Sequence, residues 1–183
     1  MYEGNEGMFH RICLKDAERL YERCQTPPHV IAHCREVTRV ACGIAEQLNL
    51  HGYHLDVELV RGSGLVHDMA RTCEEHWNVG ARILRELGYE EEADIVEHHM
   101  FYQFNPLDRL TETDMVCLGD RLVKEHDYVG VDERFQYIMD KAPDRPDVQE
   151  RLTRRREEMR SLLNQIEDMI GISMDALFKI GER

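Results

Sequence analysis

The run Gly64-Leu65-Val66-His67-Asp68-Met69-Ala70-Arg71 sets an imidazole beside a carboxylate at the end of an apolar stretch. His33 lies upstream, and His76, His98, His99 and Asp120 lie downstream. A His-Asp pair alone says little, and a second one stands at His126-Asp127. The first pair differs in its company. His33 falls three residues after Val30 and four before Val37, and His67 falls four after Ser63 and seven after Val60. His76 shares a helical face with Val79, Gly80, Ile83 and Leu87. His99 follows Val96 by three, and Asp120 follows Val116 by four. Each thus sits on an inward face. Buried carboxylates are costly unless paired or bound to metal, and no Lys or Arg stands at a matching core position. A metal ion takes neutral imidazoles and ionised carboxylates together. Mixed nitrogen and oxygen donors suit Mn, Fe, Co, Ni or Zn better than Mg or Ca.

The elements that must position these residues read as helices nearly throughout, because helical spacing of apolar residues recurs and strict alternation does not. The pattern predicts a first helix over 8–24, then a Pro27-Pro28 break and a second helix over 29–50. The stripe of that second helix is Val30, His33, Cys34, Val37, Val40, Ala41, Ile44 and Leu48. Asp56 caps a third helix that ends near His67-Asp68. Thr72-Cys73-Glu74-Glu75 has the form of a capping box, which predicts a fourth helix from there to Gly88. A short fifth helix covers 90–100, and Thr111-Glu112-Thr113-Asp114 opens a sixth that carries Asp120. Pro143 and Pro146 separate these from a long charged helix over 147–170, with Val148, Leu152, Met159, Leu162, Leu163, Ile166 and Met169 on one stripe. The expected fold is all-α: one domain over 1–183, with a core over 29–125 and a C-terminal helical extension over 147–180. The stripe of the long helix suits packing within the chain or against a second copy.

Composition narrows the partners. Of the 183 residues, 42% are hydrophobic and 32% charged, and the net charge is −13. That sign opposes binding to a nucleic acid, which works by releasing counterions from phosphates with Lys and Arg. It does not oppose a small anionic substrate, because bound metal ions dominate a local field. Arg154-Arg155-Arg156 precedes Glu157-Glu158 and reads as an exposed helix face. His126-Asp127 reads as a solvated pair, and His10, His29, His51 and His54 receive no role. Arg121 and Lys124 flank Asp120 and are candidates for a phosphate pocket. No apolar run reaches the roughly 20 residues of a membrane span, and the first residues are polar and acidic, so a cytoplasmic protein is expected. The six cysteines form no Cys-x-x-Cys pair and read as reduced thiols outside the metal site.

The order His33, His67-Asp68, Asp120 resembles the HD-domain superfamily of metal-dependent phosphohydrolases. Residues 64–71 are similar to that family's apolar-His-Asp-Ile-Gly-Lys motif, with Arg71 in place of the usual Lys. His76-Trp77-Asn78-Val79-Gly80-Ala81 and Ile95-Val96-Glu97-His98-His99 resemble further blocks of its dinuclear members. More locally, Leu84–Gly88 and Gly119–Val123 are similar to small bacterial HD domains. The resemblance implies that His33, His67, Asp68 and Asp120 hold a first metal ion. Asp68 would bridge to a second ion held by His76 and His99, with His98 an open alternative. It implies hydrolysis of a phosphate ester or anhydride, with a nucleotide as the expected substrate, by a metal-activated water, with Asp68 and Arg71 in catalytic roles. The alternative is a metal-containing nucleotide-binding or regulatory module with little catalysis. Whether one ion or two bind stays open. So does the choice of metal. Gly62-Ser63-Gly64 is a poor helix former; either small residues let helices approach closely there, or the sequence is simply tolerated.

Overall fold

The computed structural model describes residues 10–179. Helix α1 (Leu14–Cys24) precedes α2 (Pro28–Leu50), α3 (Val57–Val66), α4 (His76–Glu86) and α5 (Glu90–His98). Two single 3-10 turns, His99–Phe101 and Leu107–Arg109, lead to α6 (Glu112–Leu122). A two-stranded ladder of β1 (Val123–Lys124) and β2 (Asp127–Tyr128) then precedes α7 (Gly130–Met139), α8 (Pro146–Ile170) and α9 (Met174–Phe178). The fold is all-α apart from that ladder. Among the described residues, no helix is long and apolar enough to cross a membrane.

Local chemistry explains the boundaries. Pro28 opens α2 from the first turn, where its missing N–H costs nothing. Asp56 Oδ1 accepts from the backbone N–H groups of Glu58 and Leu59 at 3.0 Å, as the N-cap reading requires. Asp114 closes the box at the start of α6, accepting from the Thr111 backbone at 2.8 Å. The same buried carboxylate takes the backbone and side-chain N–H of Asn105, both at 2.9 Å, and so pins the preceding loop.

Three expectations need correction. The box at Thr72–Glu75 does not form: 67–75 is a chain of turns, and α4 begins at His76 behind Glu75, whose φ is 48°. The nine residues after Val66 therefore fold back on themselves, which returns His76 toward Asp68. The first helix begins at Leu14, held by Cys13 N–H donating to Asp16 at 3.2 Å, and residues 8 and 9 lie outside the described part. The ladder, α7 and α9 were not anticipated at all. Their sequences are short and mixed, and their apolar faces exist only against other elements: α7 packs on α6 and α8, the ladder on α2 and α6, and Phe178 of α9 on α2 and Tyr128.

Helix α2 is the axis. It packs on α3 and α6 through two glycines. A Cβ on Gly64 would lie 2.8 Å from Thr38 Oγ1, and one on Gly119 would lie 2.7 Å from the Val37 carbonyl oxygen. Close approach therefore explains Gly64, and the Gly62-Ser63-Gly64 stretch is not simply tolerated. One apolar cluster joins α2 and α6 to α7 and α8, and a second joins α1, α4 and α5; α3 contributes to both. Leu152, Met159, Leu162, Leu163 and Ile166 bury the stripe of α8 within the chain. Because Val37 O is backbone and cannot turn aside, Gly119→Ala should cost about 1–3 kcal/mol, the usual range for overpacking. Urea denaturation would show a lowered midpoint; an unchanged midpoint would contradict the close approach of α6 to α2.

Candidate metal centre

Five segments deliver the polar residues to one place. His33 comes from α2, His67-Asp68 from the residues directly after α3, and His76 from the first position of α4. His99 comes from the turn after α5, and Asp120 from the last turn of α6. Their ligand atoms form two groups that share a member: His33, His67 and Asp68, and then Asp68, His76 and His99. Asp120 Oδ1 lies 3.1 Å from His33 Nε2 and 4.0 Å from His67 Nε2, beside the first group. Asp68 Oδ1 faces His76 Nε2 at 2.9 Å and His99 Nε2 at 3.5 Å, and its Oδ2 faces His67 Nε2 at 3.9 Å.

Backbone carbonyls set the imidazoles. His67 Nδ1 lies 2.9 Å from the Gly64 carbonyl, His99 Nδ1 lies 2.7 Å from that of Val96, and His33 Nδ1 lies 2.7 Å from that of Glu125. A carbonyl oxygen only accepts, so each Nδ1 carries a proton and each Nε2 faces inward, where the neutral ring presents a lone pair; His33 Nε2 meets the Asp120 carboxylate at 3.1 Å. Such orientation from behind is how metal-binding histidines are usually held.

Whether this set fits a cation is decided by what its inner atoms lack. His67 Nε2, His99 Nε2 and Asp68 Oδ1 are buried and have no hydrogen-bond partner; the 2.9 Å approach of His76 to Asp68 is off the hydrogen-bonding direction. An unpaired buried polar atom costs roughly 1–3 kcal/mol. Three at one point, with lone pairs converging, define a cation site with mixed nitrogen and oxygen donors. The electrostatics agree. Burial pushes the His67 imidazole down to about 4, against the pull of Asp68 and Asp120, so the ring is neutral. Burial would raise both carboxyls, but the facing imidazoles hold Asp68 and Asp120 well below the usual range, so both are ionised. Burial opposes charge on His33 and His99 too, yet Asp120 and Asp68 respectively raise them, which is the pull a cation would take over.

Not every candidate converges. His98 is exposed and its Nδ1 bonds the Asp94 carbonyl at 2.7 Å, so it points away from the cluster while His99 turns in. Lys124 pairs with Glu133 at 3.1 Å, whereas Arg121 lines the cavity in front of the cluster. Arg71 stands beside it, with Nη1 3.3 Å from the His76 ring nitrogens and Nε 3.6 Å from Asp68 Oδ2. No cysteine belongs to either group, and all six are free thiols. His126-Asp127 is exposed, as expected. The cavity also takes in residues given no role on sequence grounds: His29, Arg134, Tyr137, Lys141 and, from the supposed surface run, Arg155. The i, i+3, i+4, i+7 spacing of Arg134, Tyr137, Ile138 and Lys141 was the available signal for three of these, Arg134, Tyr137 and Lys141.

The chain belongs to the HD domain family, whose model matches residues 30–132. That superfamily is one of metal-dependent phosphohydrolases, a class that accounts for a His/Asp cluster able to hold divalent ions. The chain is 46% identical over 76 residues to uncharacterized protein MJ0778 of Methanocaldococcus jannaschii, a match covering 39% of this chain and 45% of that protein. It is 28% identical over 127 residues to ribonuclease Y of Aquifex aeolicus, covering 67% of this chain and 21% of that one. The chain thus spans less than half the length of either relative. No solved structure matches it at a significant level.

The neighbouring histidines give a sharp test. His99→Ala should lower the Mn content of reconstituted protein measured by mass spectrometry, while His98→Ala should leave it at the wild-type value. Equal loss in both variants would contradict the placement of the pair.

Proposed function

We propose that the protein is a metal-dependent phosphohydrolase that cleaves a phosphate ester or anhydride of a small nucleotide. The observation that carries this reading is the set of three orphaned buried ligand atoms gathered around one shared carboxylate, Asp68. His33, His67, Asp68 and Asp120 would hold one ion, and Asp68, His76 and His99 a second. A divalent ion bound there supplies Lewis acidity and activates water near neutral pH. The chain's own residues do the remaining work. The Gly64, Val96 and Glu125 carbonyls keep three imidazoles aimed, so little reorganisation is needed when a substrate arrives. Arg71 is half-exposed at the rim, and its forked donors suit non-bridging phosphate oxygens. No serine, cysteine or lysine nucleophile is called for.

Three points support a nucleotide. The cavity before the cluster measures about 710 Å³, within the range of small-molecule sites. Its wall combines Arg71 with the aromatic Tyr137. Ribonuclease Y, by its name, acts on RNA, a phosphodiester of nucleotides. The net charge of −13 favours a small substrate over a polymer.

Hydrolysis by Mn-loaded protein should be measured across nucleotides, dinucleotides, cyclic nucleotides and simple phosphate esters. Asp68→Ala should lose metal and turnover together. Arg71→Ala should keep its metal and lose about 10²-fold in kcat/KM, the scale for removing one transition-state donor. Nucleotide binding without turnover by metal-loaded wild type would overturn the hydrolase reading in favour of a binding module.

A further inference from the structure

The wall facing the metal centre has a charge that the rest of the chain does not predict. Arg121, Arg134, Lys141 and Arg155 all line the cavity. Among the described residues, none of them has a carboxylate within ion-pair distance, in a chain carrying 36 acidic residues. Several arginines elsewhere are held by acids: Arg11 by Asp56 and Glu91, Arg39 by Glu36, Arg85 by Asp94 and Glu97, and Arg160 by Asp132. Four unpaired cations are thus gathered where an anion would enter.

Their setting is ordered. The Lys141 ammonium sits 4.0 Å from the centre of the Tyr137 ring, and the Arg134 guanidinium sits 5.9 Å from the same ring. Lys124 lies 5.1 Å from the same ring, so one aromatic side chain gathers three like charges, a placement that a bound anion nearby would relieve. Arg121 lies over Phe104 at 4.7 Å and donates from Nη2 to the Tyr102 carbonyl at 3.2 Å. With the guanidinium fixed in this way, its Nη1 is buried without an acceptor, and so is Arg134 Nε. Arg156 Nε, outside the cavity, is likewise unsatisfied, but only Arg121 and Arg134 carry such donors on a cationic wall that a phosphate group would complete. Arg155 borders this cavity and also a second one of about 630 Å³ beneath the 101–107 loop, so the wall continues beyond the metal centre. Arg134, Lys141 and Arg155 all follow residue 132, where the family match ends. They belong to what this chain adds to the HD core.

We infer that Arg121, Arg134, Lys141 and Arg155 form a second phosphate-binding subsite, and that the substrate is a nucleotide carrying at least two phosphate groups. One phosphate meets the metal centre and another meets this wall. The inference rests on the phosphohydrolase reading above. It makes the α7–α8 wall the element that selects among phosphorylated compounds.

The test compares kcat/KM of Mn-loaded protein on adenosine mono-, di- and triphosphate and on adenosine 3′,5′-bisphosphate. The wild type is compared with the Lys141→Gln/Arg155→Gln double variant, both positions being exposed, and with Arg82→Gln as a control for loss of an exposed cation outside the cavity. Wild type and Arg82→Gln should prefer a multiply phosphorylated substrate by about tenfold or more, the scale of one charge-assisted hydrogen bond. The double variant should lose most of that preference. Preference for the di- and triphosphate places the second phosphate along an anhydride chain; preference for the bisphosphate places it on the far side of the sugar. No preference in wild type, or the same preference in the double variant, overturns the subsite. If metal-loaded wild type hydrolyses none of the four and none of the wider panel above, the phosphohydrolase reading fails. The subsite is then judged on dissociation constants for adenosine triphosphate against the monophosphate. Their ratio should collapse in the double variant; an equal ratio in both proteins sinks it.

Discussion

A carboxylate removed from water must be compensated, and Asp68 is compensated largely by imidazoles. Its two oxygens face His67, His76 and His99, with Arg71 alone reaching it from the rim. Neutral rings do not cancel a buried negative charge, so the arrangement is unfinished as protein chemistry alone. A divalent cation finishes it. The elements around Asp68 then read as the means of bringing nitrogen donors to a point that hydrophobic burial by itself would leave empty of charge.

That delivery depends on backbone more than on side-chain packing. Three carbonyls fix which ring nitrogen of His33, His67 and His99 faces inward. Two glycines let α3 and α6 press against α2, so that residues on three helices come within ligand distance of one another. The centre also spans both apolar clusters. His33 and Asp120 come from helices of one, and His76 and His99 come from segments of the other. Metal binding in such a position contributes to folding as well as to chemistry, because the ligands converge only when both clusters are assembled.

Much of this was legible in the sequence. The α2 stripe, the Asp56 cap and the Thr111 box are local signals, and helices stand where they predict. His33, His67, His76, His99 and Asp120 were marked by their inward spacing, a property of single helices. Local signals failed where the answer was set by distant contacts. The Thr72–Glu75 box is a satisfactory helix start in isolation, but the chain turns there instead and brings His76 back beside Asp68. His98 and His99 follow apolar residues at equivalent spacings, and only the change from α-helix to a 3-10 turn decides which one faces the centre. Arg155 looked like one charge in a surface run because its role depends on packing beside α7, a contact distant in sequence.

In the proposed reading the HD core supplies a metal centre and α7 and α8 a cationic wall facing it, so reaction and selection would be built from different parts of one chain. The proposed metal centre depends on Asp68 being shared between two ions. The most direct measurement is anomalous diffraction from crystals of Mn-loaded protein. Two peaks on opposite sides of the Asp68 carboxylate, one beside His33 and His67 and the other beside His76 and His99, are the predicted result. An ion bound without touching Asp68, or a single ion with His76 and His99 left uncoordinated, would contradict it.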